Sequence, residues 1–197
     1  MEIITITVGS YQTNCYMAWG ENSQTCILVD PGYEPEFILE EVMRQGKKVE
    51  AILLTHGHFD HVGGVKQIAQ QTGCRVFICK EDSAASPMLA DGMISLTDTY
   101  AEADVLELAG LSLRVLHTPG HTAGSVCLLC EDVLFAGDTL FAGTCGRTDL
   151  PSGSMAQMRQ SLARLAALEG NFAVLPGHGM SSDLETERKT NPYMQCL

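Results

Sequence analysis

The chain has 197 residues and a formal net charge of −12 at pH 7, with a sequence pI near 4.8. Domains commonly run to about 100–200 residues, so one domain with a substantial core is expected. The acidic balance argues against binding a phosphate backbone, so neither nucleic acid nor an anionic membrane is an expected partner.

In chain order, residues 2–8, 14–19 and 24–30 read as three short strands punctuated by Gly, Asn and Ser, an opening β-meander. Over 35–45, Phe37, Ile38, Val42 and Met43 fall at helical spacing, and the helix closes at Gly46. Strand 49–54 delivers the chain to Thr-His-Gly-His-Phe-Asp-His (55–61), a helix over 62–72 leaves it, and 75–79 is another strand. Residues 81–103 carry the weakest pattern and read as a surface excursion near the site, with a short helix at 83–89. Strands follow at 104–108, 111–117, 125–130 and 132–136. The clearest helix is 154–168, with Ser154 as N-cap and Met155, Met158, Leu162 and Leu165 along one apolar face. A last strand, 172–175, precedes a polar helix at 182–190. With no linker, low-complexity tract or repeat, residues 1–197 are expected to form one α/β domain.

No apolar run approaches the roughly 18–20 residues of a membrane span, and the Met-Glu-Ile-Ile-Thr start lacks a basic leader region, which implies a cytoplasmic protein. Its eight cysteines are then expected to be reduced. Cys127 and Cys130 lie in an apolar run with no second pair, and so read as part of a buried strand rather than a structural zinc site.

Three of the six histidines fall at 56, 58 and 61, with Asp60 among them. In an extended turn alternate side chains point the same way, so His56 and His58 would face one ion while Asp60 and His61 face a neighbouring position. Imidazole with carboxylate suits zinc, iron or manganese better than calcium or magnesium. The competing reading is an exposed polar loop. Three other strands also run into a Gly-bearing turn and then a ligand-type residue: His121, Asp138 and His178. Functional groups of α/β folds collect beyond the carboxyl ends of strands, so these loops are expected to converge on one cleft. Asp30 follows a strand in the same manner; it reads either as a partner for a ligating imidazole or as a Pro-Gly turn carboxylate.

Thr-His-x-His-x-Asp-His, then Thr-Pro-Gly-His-Thr (118–122), Gly-Asp-Thr-Leu-Phe (137–141) and Pro-Gly-His-Gly (176–179), together resemble the metallo-β-lactamase superfamily. The resemblance implies a four-layer αββα sandwich with a two-metal site at one edge of the sheets. It implies that His56, His58 and His121 hold one ion, that Asp60, His61 and His178 hold the other, and that Asp138 bridges them. Tyr-Gln-Thr-Asn-Cys-Tyr (11–16), Gly-Arg-Thr-Asp (146–149) and Glu-Arg-Lys-Thr-Asn-Pro-Tyr (187–193) look like the short glyoxalase II-like hydrolases. The helical extension that longer glyoxalase II enzymes use against glutathione is missing after His178, so weak specificity for that thiol is expected.

The implied reaction is hydrolysis of a small acyl thioester such as S-lactoylglutathione by a hydroxide shared between two ions, most simply zinc, with iron or manganese able to replace it. Asp60 and Asp138 are the carboxylates at the reacting centre. Arg147 would hold an anionic substrate group through its planar fork or pair with Asp149; the first is preferred because its loop follows Asp138. His117 reads as a packed residue or as a partner behind a ligating group, and Cys145, with no paired base evident to make it reactive, as a small turn residue. Two other classes remain. Cys-Gly-Arg-Thr-Asp (145–149) is also similar to persulfide dioxygenases, which use one iron at positions matching His56, His121 and Asp138; a non-catalytic metal-binding module is the third.

Overall fold

The computed structural model describes residues 1–83 and 96–195. Its first half runs β1 (Glu2–Val8), β2 (Thr13–Trp19), β3 (Thr25–Val29), α1 (Pro35–Arg44), β4 (Lys48–Leu54), α2 (Phe59–Val62), α3 (Val65–Thr72), β5 (Arg75–Cys79), α4 (Lys80–Ser83) and β6 (Asp98–Tyr100). The second half runs β7 (Val105–Leu108), β8 (Leu111–His117), β9 (Val126–Cys130), β10 (Val133–Gly137), β11 (Leu140–Phe141), β12 (Thr144–Cys145), α5 (Met155–Ala166), β13 (Ala173–Pro176), β14 (Ser182–Asp183), α6 (Leu184–Thr190) and α7 (Pro192–Gln195).

Two six-stranded sheets result, in the orders β1-β2-β3-β4-β5-β6 and β14-β13-β10-β9-β8-β7. One apolar cluster joins both sheets and takes in Ile38, Val42, Val65 and Ile68 from α1 and α3. A second, with Leu116, Cys127 and Leu134 on the sheet side and Met158, Leu162, Leu165, Leu184 and Met194 on the helical side, joins the second sheet to α5, α6 and α7. The layers are therefore helix, sheet, sheet, helix, the αββα sandwich. β2 and β10 are buried at every position, as strands covered on both faces must be.

Strand direction sets where the loops go. β3 and β4 pair in parallel, as do β10 and β13. β8 and β10 are each antiparallel to β9, so they run the same way as each other. The strands of each sheet that precede the candidate ligands thus end at the same edge of that sheet.

Four local expectations change. The helix expected over 62–72 is α2 and α3, broken at Gly63-Gly64: a Cβ on Gly63 would lie 2.2 Å from the Gly32 carbonyl, and Gly64 N donates to Pro31 O at 2.9 Å. Close approach of two backbones requires the break. On α1, Ile38 and Val42 are buried, whereas Phe37 and Met43 are 53% and 68% exposed, one position off the inward stripe. On α5, Ser154 Oγ accepts from Gln157 N at 3.3 Å, and the buried stripe is Met158, Leu162 and Leu165, with Met155 one turn earlier and 38% exposed. β6 lies in the stretch of weakest pattern, anchored by Tyr100, whose hydroxyl donates to Leu54 O; the rest of the helix expected at 83–89 falls outside the described residues.

All described cysteines are free. Cys127 and Cys130 point to opposite faces of β9, into the second and first clusters respectively. No helix of the described residues is long and apolar enough to cross a membrane. Leu162 is fully buried, so Leu162→Ala should cost about 2–5 kcal/mol, while Met155→Ala should stay within about 0.5 kcal/mol. Urea midpoints of the two variants test this, and equal shifts would contradict the layer assignment.

Candidate metal centre

β4 ends at Leu54, and the backbone then turns through Thr55 to His56 under the control of a buried carboxylate. Asp30, 1% exposed, accepts from Thr55 N at 2.8 Å and from Thr55 Oγ1 at 2.6 Å. Its Oδ2 also lies 3.0 Å from His61 Nδ1. That bond places the proton of His61 on Nδ1 and leaves a lone pair on Nε2. Asp30 thus holds the first and last imidazoles of the 56–61 loop in register.

The other rings are oriented by carbonyls. His121 Nδ1 donates to Arg147 O at 2.8 Å, and His178 Nδ1 donates to Tyr11 O at 3.0 Å. In each the Nε2 lone pair points inward. His121 Nε2 lies 2.8 Å from His58 Nδ1, and His178 Nε2 lies 3.2 Å from His61 Nε2. Asp60 Oδ2 lies 3.2 Å from His178 Nε2. Asp138 stands between the groups, with Oδ2 3.4 Å from His121 Nε2 and Oδ1 3.5 Å from His61 Nε2. The ligand atoms of His56, His58 and His121 lie within 4.8 Å of one another, and so do those of Asp60, His61 and His178. His56 and His58 fall in one group and Asp60 and His61 in the other, as expected, but α2 carries the second pair on one short helical turn rather than on extended backbone.

The donor set suits cations on chemical grounds. His56 Nε2 and Asp138 Oδ1 are buried without a hydrogen-bond partner, a costly condition unless something electrophilic meets them. His61 and His178 present facing lone pairs at 3.2 Å with two carboxylates alongside. Ligand atoms on one tetrahedral zinc lie about 3.3 Å apart, so these separations fit. Electrostatics point the same way. Burial, then His61 and His121, pushes His56 well below the usual imidazole range, and burial and His121 bring His58 down to about 4. Burial also acts to lower His61, but Asp138, Asp30 and Asp60 together raise it to about 9. His56 and His58 are therefore kept neutral, as ligation requires, while the carboxylates around His61 draw positive charge to the other group.

The loops approach so closely that two glycines are obligatory. A Cβ on Gly177 would lie 2.3 Å from Asp138 Oδ1 and 2.7 Å from His61 Cε1; on Gly146 it would lie 1.8 Å from Asp138 O.

Above the ligands opens a cleft of about 550 Å³, walled by Tyr11, Phe59, Phe141 and Leu150, with Arg147 also on its lining. Arg147 forms a two-pronged pair with Asp149, Nε to Oδ1 at 2.7 Å and Nη2 to Oδ2 at 2.8 Å. Both are exposed. Both roles expected of Arg147 therefore have a geometric basis, cleft lining and ion pair.

A family model described as Metallo-beta-lactamase superfamily matches residues 8–178. The chain belongs to the metallo-β-lactamase superfamily. Among its relatives, "Hydroxyacylglutathione hydrolase GloC" of Haemophilus influenzae is 31% identical over 98% of each chain. "BLEG-1 B3 metallo-beta-lactamase" is similar in structure, with a TM-score of 0.88 at 29% identity over 98% of this chain and 99% of that one. TTHA1623 "in a di-iron-bound form" gives 0.83 at 33% identity over 96% and 99%, and ETHE1 from Myxococcus xanthus gives 0.87 at 26% identity over 98% and 84%.

Within this metallo-β-lactamase framework the sequence reading missed the residues that hold the loops. Asn14 Nδ2 donates to Pro176 O and Gly179 O at 3.1 and 3.0 Å, and Tyr16 OH to Pro176 O at 2.6 Å. Both lie in the Tyr-Gln-Thr-Asn-Cys-Tyr segment, whose polar residues beside a strand were the available signal. Asp82 gave no such signal. Buried on α4, it accepts from Gly57 N at 2.9 Å, Thr122 Oγ1 at 2.8 Å and Gly124 N at 2.8 Å, so it ties the 56–61 loop to the 118–124 loop. Asp82→Asn would set an NH2 group against backbone N–H donors. It should cost about 1–3 kcal/mol and lower metal affinity by about 10–100-fold. Wild-type metal affinity in a folded Asp82→Asn protein would refute this positioning role.

Proposed function

We propose that this protein hydrolyses small 2-hydroxyacyl thioesters, of which S-lactoylglutathione is the type, at two transition-metal ions. The observation that carries the reading is the convergence of His56, His58 and His121 on one side of Asp138 and of Asp60, His61 and His178 on the other. The name of the Haemophilus influenzae relative supports the substrate class. Zinc is the first choice of metal, with iron or manganese able to use the same ligands; the di-iron neighbour keeps iron in view.

Ions held there supply a water activated at neutral pH and positive charge opposite a developing oxyanion. The chain's own residues do the rest. Asp138, reaching towards both groups, fixes their spacing, and Asp60 is held at the reacting centre by its 3.2 Å contact with His178. Tyr11, Phe59, Phe141 and Leu150 provide an apolar wall for the acyl group and displace water from it. Arg147 offers its guanidinium to a carboxylate on the thiol portion, exchanging its exposed partner Asp149 for the substrate. A thiolate leaves without needing a proton, so this site requires no separate acid for the leaving group, in contrast to an amide.

The persulfide dioxygenase reading has one observation in its favour: Gly146 and Arg147 of the Cys-Gly-Arg-Thr-Asp segment pack on Asp138 and His121. It would leave Asp60, His61 and His178 without a metal to hold. Thioester loss and oxygen uptake, assayed side by side with S-lactoylglutathione, a thioester of a smaller thiol and glutathione persulfide, separate the two. Thioester cleavage under anaerobic conditions is expected; sulfite formation with oxygen uptake and no anaerobic cleavage would favour the dioxygenase.

Elemental analysis should give two transition-metal ions per chain, and His56→Ala and Asp138→Ala should abolish turnover with the fold retained. A single equivalent after metal supplementation would argue against a dinuclear centre. Arg147→Ala should raise KM for anionic thioesters far more than it lowers kcat, because a remote carboxylate is held equally in ground and transition states. Unchanged KM with lowered stability would assign Arg147 to its pair with Asp149 alone.

A further inference from the structure

Where β5 ends at Cys79 and β8 ends at His117, the two sheets present a second set of metal-ligating groups that the hydrolytic centre does not use. One ligand atom each from Cys79, Glu81 and His117 lies within 4.8 Å of the others. Cys79 Sγ and Glu81 Oε2 are already 2.9 Å apart. His117 Nε2 lies 2.8 Å from Ala123 O; donating there, it leaves the lone pair on Nδ1, the same outer-partner arrangement that orients ligating imidazoles elsewhere. Cys79 is buried, Glu81 is exposed and His117 is half-buried, so the cluster opens to solvent on the Glu81 side.

We propose that Cys79, Glu81 and His117 form a further cation site, taking a thiophilic divalent transition metal such as zinc. Sulfur, imidazole nitrogen and carboxylate oxygen are all zinc ligands, and three protein ligands leave a fourth position for water. Thiolate and carboxylate together match the charge of a divalent ion. Tetrahedral ligand atoms lie about 3.5 Å apart, so closing this cluster on an ion needs movements of about 1 Å in side chains at the ends of β5 and β8 and on α4. Burial, and then the bond to Glu81, pushes the thiol up to about 12. The thiol is therefore protonated before binding, and the ion displaces that proton to solvent as the sulfur–metal bond forms. Before an ion binds, the Cys79 thiol donates to Glu81 Oε2 and satisfies the pair.

An ion here would cross-link the two sheets. It would also fix α4, whose Asp82 follows Glu81 and holds the loops bearing His58 and His121. The site stands apart from the reading of the hydrolytic centre, since none of the seven residues there is a cysteine.

That difference supplies the test. Cobalt(II) titrated into the purified full-length protein should, beyond the equivalents taken by the histidine-rich centre, produce a thiolate-to-cobalt charge-transfer band in the near ultraviolet. The band should vanish in Cys79→Ser and survive in Cys145→Ser, a half-buried cysteine at the end of β12. Should Cys79→Ser fold poorly, Glu81→Gln at an exposed position should weaken the band-forming step by about tenfold or more, with the visible absorption of the other equivalents unchanged. No band in the wild type, a band that persists in Cys79→Ser, or one insensitive to Glu81→Gln would overturn the proposal.

Discussion

An imidazole whose first nitrogen is committed to a carbonyl or carboxylate has only a lone pair to offer from the second, and the centre of this protein is assembled from such rings. His61 is committed to Asp30, His121 to the Arg147 carbonyl and His178 to the Tyr11 carbonyl. Their inward nitrogens meet each other and two carboxylates in a buried space. Collecting acceptors in this way is unfavourable unless positive charge joins them. The surrounding structure can be understood as what it takes to hold such a set together: a sandwich whose loop-bearing strands share an edge, glycines where backbones touch carboxylates, and hydrogen bonds donated by Asn14 and Tyr16 and accepted by Asp82.

The two sheets divide this work. The first, through β3 and β4, brings Asp30 and the 56–61 loop as one rigid unit, because Asp30 is bonded to both the backbone and the hydroxyl of Thr55. The second brings His121, Asp138 and His178 on the loops that follow three separate strands, β8, β10 and β13. These are steadied from outside by α5, where Ser161 Oγ donates to Pro119 O at 2.7 Å. Asp138 follows β10, a strand buried throughout, and this is the firmest place in the sheet for a residue that must face both groups.

Much of this was legible in the sequence because it is local. Strands of five to seven residues show their burial in composition, and the β5 and β8 boundaries agree with the expected ones. The ligand candidates stand out because each follows a strand and a glycine-bearing turn. What was illegible depends on distant partners. Nothing near Asp82 announces that Gly57 and Gly124 will donate to it, and a four-residue helix has no periodicity to detect. The break at Gly63-Gly64 answers to Pro31 and Gly32 across the sheet edge. Phe37, Met43 and Met155 misled because an apolar residue beside a stripe differs from one in the stripe by only a rotation of the helix.

The link from Asn14 to the Pro176 and Gly179 carbonyls spans 162 and 165 residues of chain. During synthesis at about 5–20 residues per second, the 117 residues separating His61 from His178 take roughly 6–23 s to appear. Over that interval the nascent chain already carries His56, His58, Asp60 and His61 but has nothing with which to close the second group. The order of these groups along the chain therefore acts as a timer: the second group, which needs His178, can close only after β13 and the residues beyond it have left the ribosome.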